Sequence, residues 1–147
     1  ANRFADGAAR TVQSLLEFSR WPSRPNPVRL CVIGTARHAE KLTDLILSGG
    51  RPVVRRNFPA NADAIGTSCD ALYIGKMALP AIRQVTARVR GAAVVTIAED
   101  DPGCRSEAMF CLQFEPSTLS FLINVDAVSR SAVRVDPRVL RMSKGGY

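Results

Sequence analysis

The residues of this sequence that are most able to take part in chemistry are its four cysteines, Cys31, Cys69, Cys104 and Cys111. Structural zinc is usually held by pairs of cysteine or histidine ligands that lie two to four residues apart. Here the closest pair, Cys104 and Cys111, is seven positions apart, and His38 is the only histidine. This spacing disfavours zinc, so we predict a chain with no metal site and no cofactor.

Thiol catalysis is also disfavoured by the positions of these cysteines. A dithiol oxidoreductase usually keeps its cysteines two residues apart at a helix N-terminus, where the helix dipole lowers the pKa of the attacking thiol. The approach Glu99-Asp100-Asp101 is acidic and would raise that pKa instead. A cysteine nucleophile also needs a base, and His38 is the only imidazole available. Neither pattern therefore gives evidence of cysteine-based catalysis.

Two interpretations of the cysteines remain open, namely two disulfide bonds or four buried free thiols. Four cysteines permit three pairings. A bond between Cys31 and Cys69 would tie one predicted core strand to the start of another, and a bond between Cys104 and Cys111 would close a small loop. The chain-entropy description gives stabilisations of about 4 and about 2.5 kcal/mol for those two loops. Disulfide bonds would indicate an oxidising compartment, and free thiols a reducing one.

A small-ligand site is the alternative function that the sequence suggests. Gly34 and the four residues after it follow a predicted strand, which is where doubly wound folds bind anions. Arg37 and His38 lie in this segment, and Glu99 ends another predicted strand at the same edge of the sheet. The segment lacks the further glycines of a phosphate-binding loop, so an ordinary turn also explains it.

The apolar pattern predicts an α/β fold in one domain, residues 1–147. Short apolar runs at 29–33, 71–74 and 93–97, with a brief strand at 52–55, alternate with predicted helices at 4–18, 36–47 and 80–90. Strands at 109–114 and 119–123 form a closing antiparallel pair, followed by short helical segments at 126–130 and after Asp136-Pro137. Alternating strands and helices imply a mixed, mostly parallel central sheet flanked by helices on both faces.

Composition excludes several classes of protein. The chain is 46% hydrophobic and 22% charged, which suits one compact domain, and it has no apolar run of the roughly 18 residues that membrane insertion requires. We expect any secretory signal to have been removed. The net charge of +7 suggests an anionic partner. The arginines are scattered and the aromatic residues do not interleave with them, so we interpret the charge as ordinary surface positivity and do not expect nucleic acid as the partner.

Short segments along nearly the whole chain resemble the YfiR family of small periplasmic proteins. All four cysteines match, together with Phe110 beside Cys111. The other segments are Arg20-Trp21-Pro22, Leu30 to Ile33, Asp70 with Leu72 to Gly75, Ile97 to Glu99, Phe121 to Ser131, and Val135 to Pro137 with Val139-Leu140.

The resemblance implies a function that composition does not. Members of the family are periplasmic inhibitors that bind the sensor region of a membrane-bound diguanylate cyclase, and an outer-membrane, peptidoglycan-associated lipoprotein sequesters them in turn. The resemblance therefore implies a regulator that is not an enzyme. They form homodimers and link periplasmic redox state or envelope stress to cyclic-di-GMP signalling and biofilm formation. Carried onto this chain, the family's disulfide pairs are Cys31–Cys69 and Cys104–Cys111.

We also predict which residues contact the partner. Phe110 is an aromatic residue beside a loop that the Cys104–Cys111 bond would make rigid, and a rigid contact loses little conformational entropy on binding. The closing segment adds Leu122, Val128 and Arg130 to this predicted contact surface.

Overall fold

The structure is a computed structural model that describes residues 3–143 and the backbone of Gly145 and Gly146. The helices are α1 Ala5–Glu17, α2 Ile65–Ser68, α3 Leu79–Arg88, α4 Val125–Arg130 and α5 Val139–Met142. The strands are β1 Ser19–Arg20, β2 Val28–Ile33, β3 Ile46–Leu47, β4 Arg51–Asn57, β5 Ala71–Ile74, β6 Val95–Ala98, β7 Phe110–Phe114, β8 Leu119–Ile123, β9 Arg134–Val135 and β10 Gly145–Gly146.

The central sheet is mixed and mostly parallel, as the sequence predicted. Its strand order is β10-β8-β7-β6-β5-β2-β4-β3. The five strands from β4 to β7 in this order run parallel to their neighbours, whereas β8 pairs antiparallel with β7 and β3 pairs antiparallel with β4. A separate two-stranded ribbon pairs β1 with β9 and thereby joins the end of α1 to the segment after α4.

Helices cover both faces of the sheet because the central strands are apolar on both faces. In β2, Leu30 and Val32 belong to the core beneath α1, while Cys31 and Ile33 belong to the core beneath α3. The α1 stripe of Val12, Leu15 and Leu16 packs in the first core, and Ile82 and Val85 of α3 pack in the second. The predicted helices at 4–18 and 80–90 are therefore confirmed as α1 and α3.

The helix predicted over 36–47 is wrong. Of its predicted apolar stripe, Ala39, Leu42 and Leu45 are buried, but Ile46 is 57% exposed, and the backbone follows turns and then enters β3. Asp44 has a left-handed φ of 56°, which interrupts a helix, and the Leu45 carbonyl accepts the Val53 N–H at 2.8 Å. Pairing with β4 thus supplies the hydrogen bonds that a helix would have made within itself.

Within the described residues, no helix has both the length and the apolar character needed to cross a lipid bilayer.

Candidate functional site

Both disulfide bonds implied by the resemblance are present. Cys31 of β2 is bonded to Cys69, which lies two residues before the start of β5, and Cys104 is bonded to Cys111 of β7. All four cysteines are buried, and none is free. The first bond crosses between neighbouring parallel strands, and the second closes the loop between β6 and β7. The four cysteines therefore serve as covalent cross-links of the scaffold in this structure.

The structure brings together the three residues predicted as a small-ligand site, but their groups already bind one another. Glu99 follows β6 and is 3% exposed. Its Oε2 accepts the Arg37 backbone N–H at 2.7 Å, and its Oε1 accepts the His38 backbone N–H at 2.7 Å and the Tyr73 hydroxyl at 2.7 Å. The carboxylate thus occupies the anion position that the loop was predicted to offer. A free anion would have to displace it, so ligand binding here stays a prediction.

A glycine allows this loop to reach Glu99. Thr35 and Lys76 bridge the segments after β2 and β5, and Gly75 lies beneath the crossing. A Cβ atom on Gly75 would lie 2.4 Å from both the Thr35 carbonyl carbon and the Ala36 nitrogen, far closer than side chains approach backbone. The close approach aims the two amides at Glu99.

His38 connects this cluster to two other elements. Its ring lies 4.1 Å from the Phe114 ring at the end of β7 and 5.6 Å from the Phe4 ring before α1, measured between centroids. Phe4 and Phe114 also pack edge to face at 5.2 Å. Glu99 holds the His38 backbone and the two aromatic rings hold its side chain. His38 therefore has a structural role in this fold.

Tyr73 is a buried partner of Glu99. Burial is the main cause that raises the pKa of Tyr73 above its ordinary value, and the Glu99 carboxylate raises it further by charge and by accepting the hydroxyl. Deprotonated tyrosine would place a second negative charge beside Glu99 in the core. The phenol therefore remains a hydrogen-bond donor to Glu99 at ordinary pH.

The four residues predicted to contact a partner occupy very different depths. Phe110 is 0% exposed and packs edge to face on Phe121 in the core, and Leu122 is also buried. Val128 is half-buried against the core, whereas the Arg130 side chain is 52% exposed and pairs with Asp126 at 3.1 Å. Of these four residues, only Val128 and Arg130, both on α4, are therefore accessible to a partner. Phe110 does not reach solvent.

An arginine-lined groove lies beside the end of α4 and was missed by the sequence analysis. It encloses about 470 Å³ around Trp21 and is lined by Arg20, Arg24, Arg51 and Arg134. No acidic side chain is among the residues that line it in the described part of the chain. Arg20 and Arg134 are paired in the β1–β9 ribbon, so residues that are far apart in the sequence contribute to one positive surface.

The groove has a rigid base. The Trp21 indole N–H donates to the Asp70 carbonyl at 2.9 Å, and the ring is 3% exposed. The Arg51 guanidinium lies 5.7 Å from the Trp21 ring centroid and donates to the Pro25 carbonyl at 3.3 Å. A positive charge over an aromatic face is stabilised there. The arginines are thus presented by fixed backbone elements.

Near this groove, Asp136 forms an ion pair with Arg138. The Arg138 guanidinium donates to both carboxylate oxygens, the shortest contact being 2.8 Å. These hydrogen bonds are the main reason why the pKa of Asp136 falls to about 2, and Arg20 makes a smaller contribution. Asp136 is therefore ionised near neutral pH. Its carboxylate is paired with Arg138, which does not line the groove.

Comparison with protein families identifies the chain. The YfiR/HmsC-like family matches residues 6–144, which include α1 from its second residue, strands β1 to β9, both disulfide bonds, α4 and the groove arginines. The match covers far more than half of the sequence. It implies a periplasmic regulatory protein of diguanylate cyclase signalling. The chain therefore belongs to the YfiR/HmsC-like family.

Proposed function

We propose that this protein represses a membrane-bound diguanylate cyclase by binding the periplasmic sensor region of that enzyme. An outer-membrane, peptidoglycan-associated lipoprotein relieves the repression by competing for the inhibitor. The observation that carries the proposal is the run of exposed and half-buried residues at 125–132, which leads to the arginine groove through Ala132 and Arg134, in a chain of the YfiR/HmsC-like family. We call this surface, formed by residues 125–132 and Arg134 with Arg20, Arg24 and Arg51, the α4–arginine surface.

The α4–arginine surface combines apolar and positive contacts. No residue of α4 is buried, and Val125 is 48% exposed. Residues 131–134 lead directly from α4 to the groove, where Arg134 contributes its charge. Surfaces that bind proteins commonly use arginine together with apolar side chains, because guanidinium groups pair with carboxylates and also pack on apolar atoms. The partner that suits this surface is a protein segment with exposed carboxylates.

The scaffold beneath the surface is rigid. Asn124 caps α4 by accepting the Ala127 N–H at 3.0 Å, and the Asn124 N–H donates to the Met109 carbonyl at 2.9 Å. The Cys104–Cys111 bond closes the chain segment that leads into β7. A preorganised surface loses little conformational entropy when it binds, so more of the contact energy appears as affinity.

Repression needs no chemistry in this mechanism. A ligand shifts a conformational equilibrium only by as much as it binds one state more tightly than the other. Tighter binding to the inactive conformation of the cyclase therefore suffices, and sequestration by the lipoprotein lowers the concentration of free inhibitor. Opening a disulfide bond would loosen the scaffold, which would couple envelope redox stress to cyclic-di-GMP output and biofilm formation. We further propose that the protein acts as a homodimer.

The test is the cyclic-di-GMP content of cells that contain the cyclase and either wild-type or substituted inhibitor. Arg134→Glu reverses a charge in the groove and should relieve repression. Arg56→Glu makes the same change in charge on an exposed residue near the far end of β4, and should repress like wild type. Full repression by Arg134→Glu at equal inhibitor abundance would contradict the assigned surface. Unchanged cyclic-di-GMP on adding or removing the wild-type protein would contradict the function itself.

A further inference from the structure

Asp101 is a buried carboxylate that partner binding does not use. It follows β6 and is 7% exposed. Its Oδ1 accepts the Arg105 backbone N–H at 2.9 Å, and its Oδ2 accepts the Ser106 backbone N–H at 2.8 Å. The same Oδ2 lies 3.6 Å from Cys111 Sγ. A charged carboxylate is thus held directly against a buried disulfide bond.

Three potential metal ligands converge at this point. The ligand atoms of Asp101, Cys104 and Cys111 all lie within 4.8 Å of one another, and all three residues are buried. While the disulfide bond is intact, the two sulfurs are bonded to each other and offer no thiolate. A dithiol reductant would transfer two electrons and two protons to this bond, forming two protein thiols and the disulfide of the reductant.

The loop that carries these residues is also held by bonds that do not involve the disulfide. The Thr86 hydroxyl donates to the Ser106 carbonyl at 2.9 Å, and the Arg83 Nε donates to the Arg105 carbonyl at 2.9 Å. Both donors belong to α3, which packs on the sheet beneath the loop. Because these hydrogen bonds do not depend on the disulfide bond, we expect the carboxylate and the two thiols to remain neighbours after reduction.

The reduced site has the chemistry of a zinc site. Two thiolates and a carboxylate in a buried space repel one another, and a divalent cation removes that repulsion. Thiolates bound to tetrahedral zinc lie about 3.8 Å apart. The Cα atoms of Cys104 and Cys111 are 5.5 Å apart, which allows both side chains to reach one ion. The site would supply three protein ligands and leave the fourth position open.

We propose that reduction of the Cys104–Cys111 bond creates a zinc site formed by Asp101, Cys104 and Cys111. Binding of one Zn²⁺ displaces the two thiol protons and holds the sulfurs as thiolates on the metal. Zinc then opposes re-formation of the disulfide, since the bound thiolates are not free to be oxidised. Sequence spacing alone does not reveal this site, because the fold of the loop brings Asp101 to the two cysteines. The zinc site does not rest on the proposed repression of a cyclase, and its test needs no partner.

The experiment uses the full chain after mild reduction by a dithiol and its removal, with peptide mapping to show that the Cys104–Cys111 bond is open. Co²⁺ is added first, because thiolate ligands give it an intense near-ultraviolet charge-transfer absorption, and Zn²⁺ is then used to displace it. We expect one equivalent of Co²⁺ to bind the reduced protein and none to bind the oxidised protein. Zn²⁺ should also protect Cys104 and Cys111 from alkylation.

The matched variants are Asp101→Asn and Asp100→Asn, which make the same change at neighbouring residues, one buried and one exposed. Asp101→Asn should weaken Zn²⁺ binding at least tenfold, and Asp100→Asn should leave it unchanged. If Asp101→Asn does not fold, the alkylation pattern of the reduced wild-type protein decides. Absence of the charge-transfer band, equal affinity in the two variants, or protection of Cys31 and Cys69 instead would overturn the proposal.

Discussion

The Glu99 cluster gives the sharpest test of how the sheet edge is held together, and the substitution is Glu99→Gln. The carboxylate accepts the Arg37 N–H, the His38 N–H and the Tyr73 hydroxyl, each at 2.7 Å. A glutamine side chain has one oxygen in place of two. In either orientation its NH₂ group faces at least one backbone N–H, so a buried donor loses its acceptor.

The size of the effect follows from these contacts. An unsatisfied buried donor costs about 1–3 kcal/mol, and a hydrogen bond to a charged acceptor contributes about 1.5–3 kcal/mol, more than a bond to a neutral one. We therefore expect Glu99→Gln to lower the free energy of unfolding by about 2–4 kcal/mol. For a domain of this length that corresponds to a fall in Tm of roughly 4–16 °C. Tyr73→Phe removes one donor and leaves both amide contacts, so it should cost less, about 1–2 kcal/mol.

The assay is urea unfolding of the oxidised protein at neutral pH, followed by circular dichroism. Asp100→Asn is the control, because it removes the adjacent carboxylate on the surface and should change stability by less than about 0.5 kcal/mol. If Glu99→Gln unfolds at the same urea concentration as wild type, the carboxylate does not organise this edge and the reasoning is refuted.

Three further predictions concern the scaffold. Replacing Cys31 and Cys69 together by alanine should lower the free energy of unfolding by about 4 kcal/mol on the chain-entropy description, and a loss below about 1 kcal/mol would contradict it. Because burial and Glu99 raise the pKa of Tyr73 above 10.0, its contribution is complete below pH 10 and is lost as pH rises, by up to about 1.4 kcal/mol per pH unit. Tyr73→Phe should abolish that slope in unfolding measurements, and an unchanged slope would exclude Tyr73 as its source. Gly75→Ala should cost at least about 2 kcal/mol, since its Cβ would meet backbone at 2.4 Å, whereas Gly66→Ala meets nothing within 4 Å and should be tolerated.

The sequence predicts the central architecture well because the signals there are local. Short apolar runs bounded by Gly34 and Gly75 mark strands that are buried on both faces, and the proline at position 80 marks the start of α3. The same reasoning gives a wrong prediction at 36–47, where Ala39, Leu42 and Leu45 are buried although the segment is not a helix. Pairing of β3 with β4 decides the backbone there, and that pairing is a tertiary contact.

The candidate surface is less visible in the sequence for a related reason. Arg20 and Arg134 are 114 positions apart and become neighbours only through the two-residue β1–β9 ribbon, which has no periodic pattern. Scattered arginines therefore appeared as ordinary surface charge. Phe110 shows the opposite error, because its position beside a disulfide suggested a contact residue although both sides of its strand are covered.

The central claim is that this chain binds the periplasmic region of a diguanylate cyclase through the α4–arginine surface. The most direct measurement is calorimetric titration of that purified region with the oxidised protein, comparing wild type, Arg134→Glu and Arg56→Glu. We predict saturable binding by wild type and Arg56→Glu, and an affinity at least tenfold lower for Arg134→Glu. No binding by the wild-type protein, or equal affinities for all three, would contradict the account.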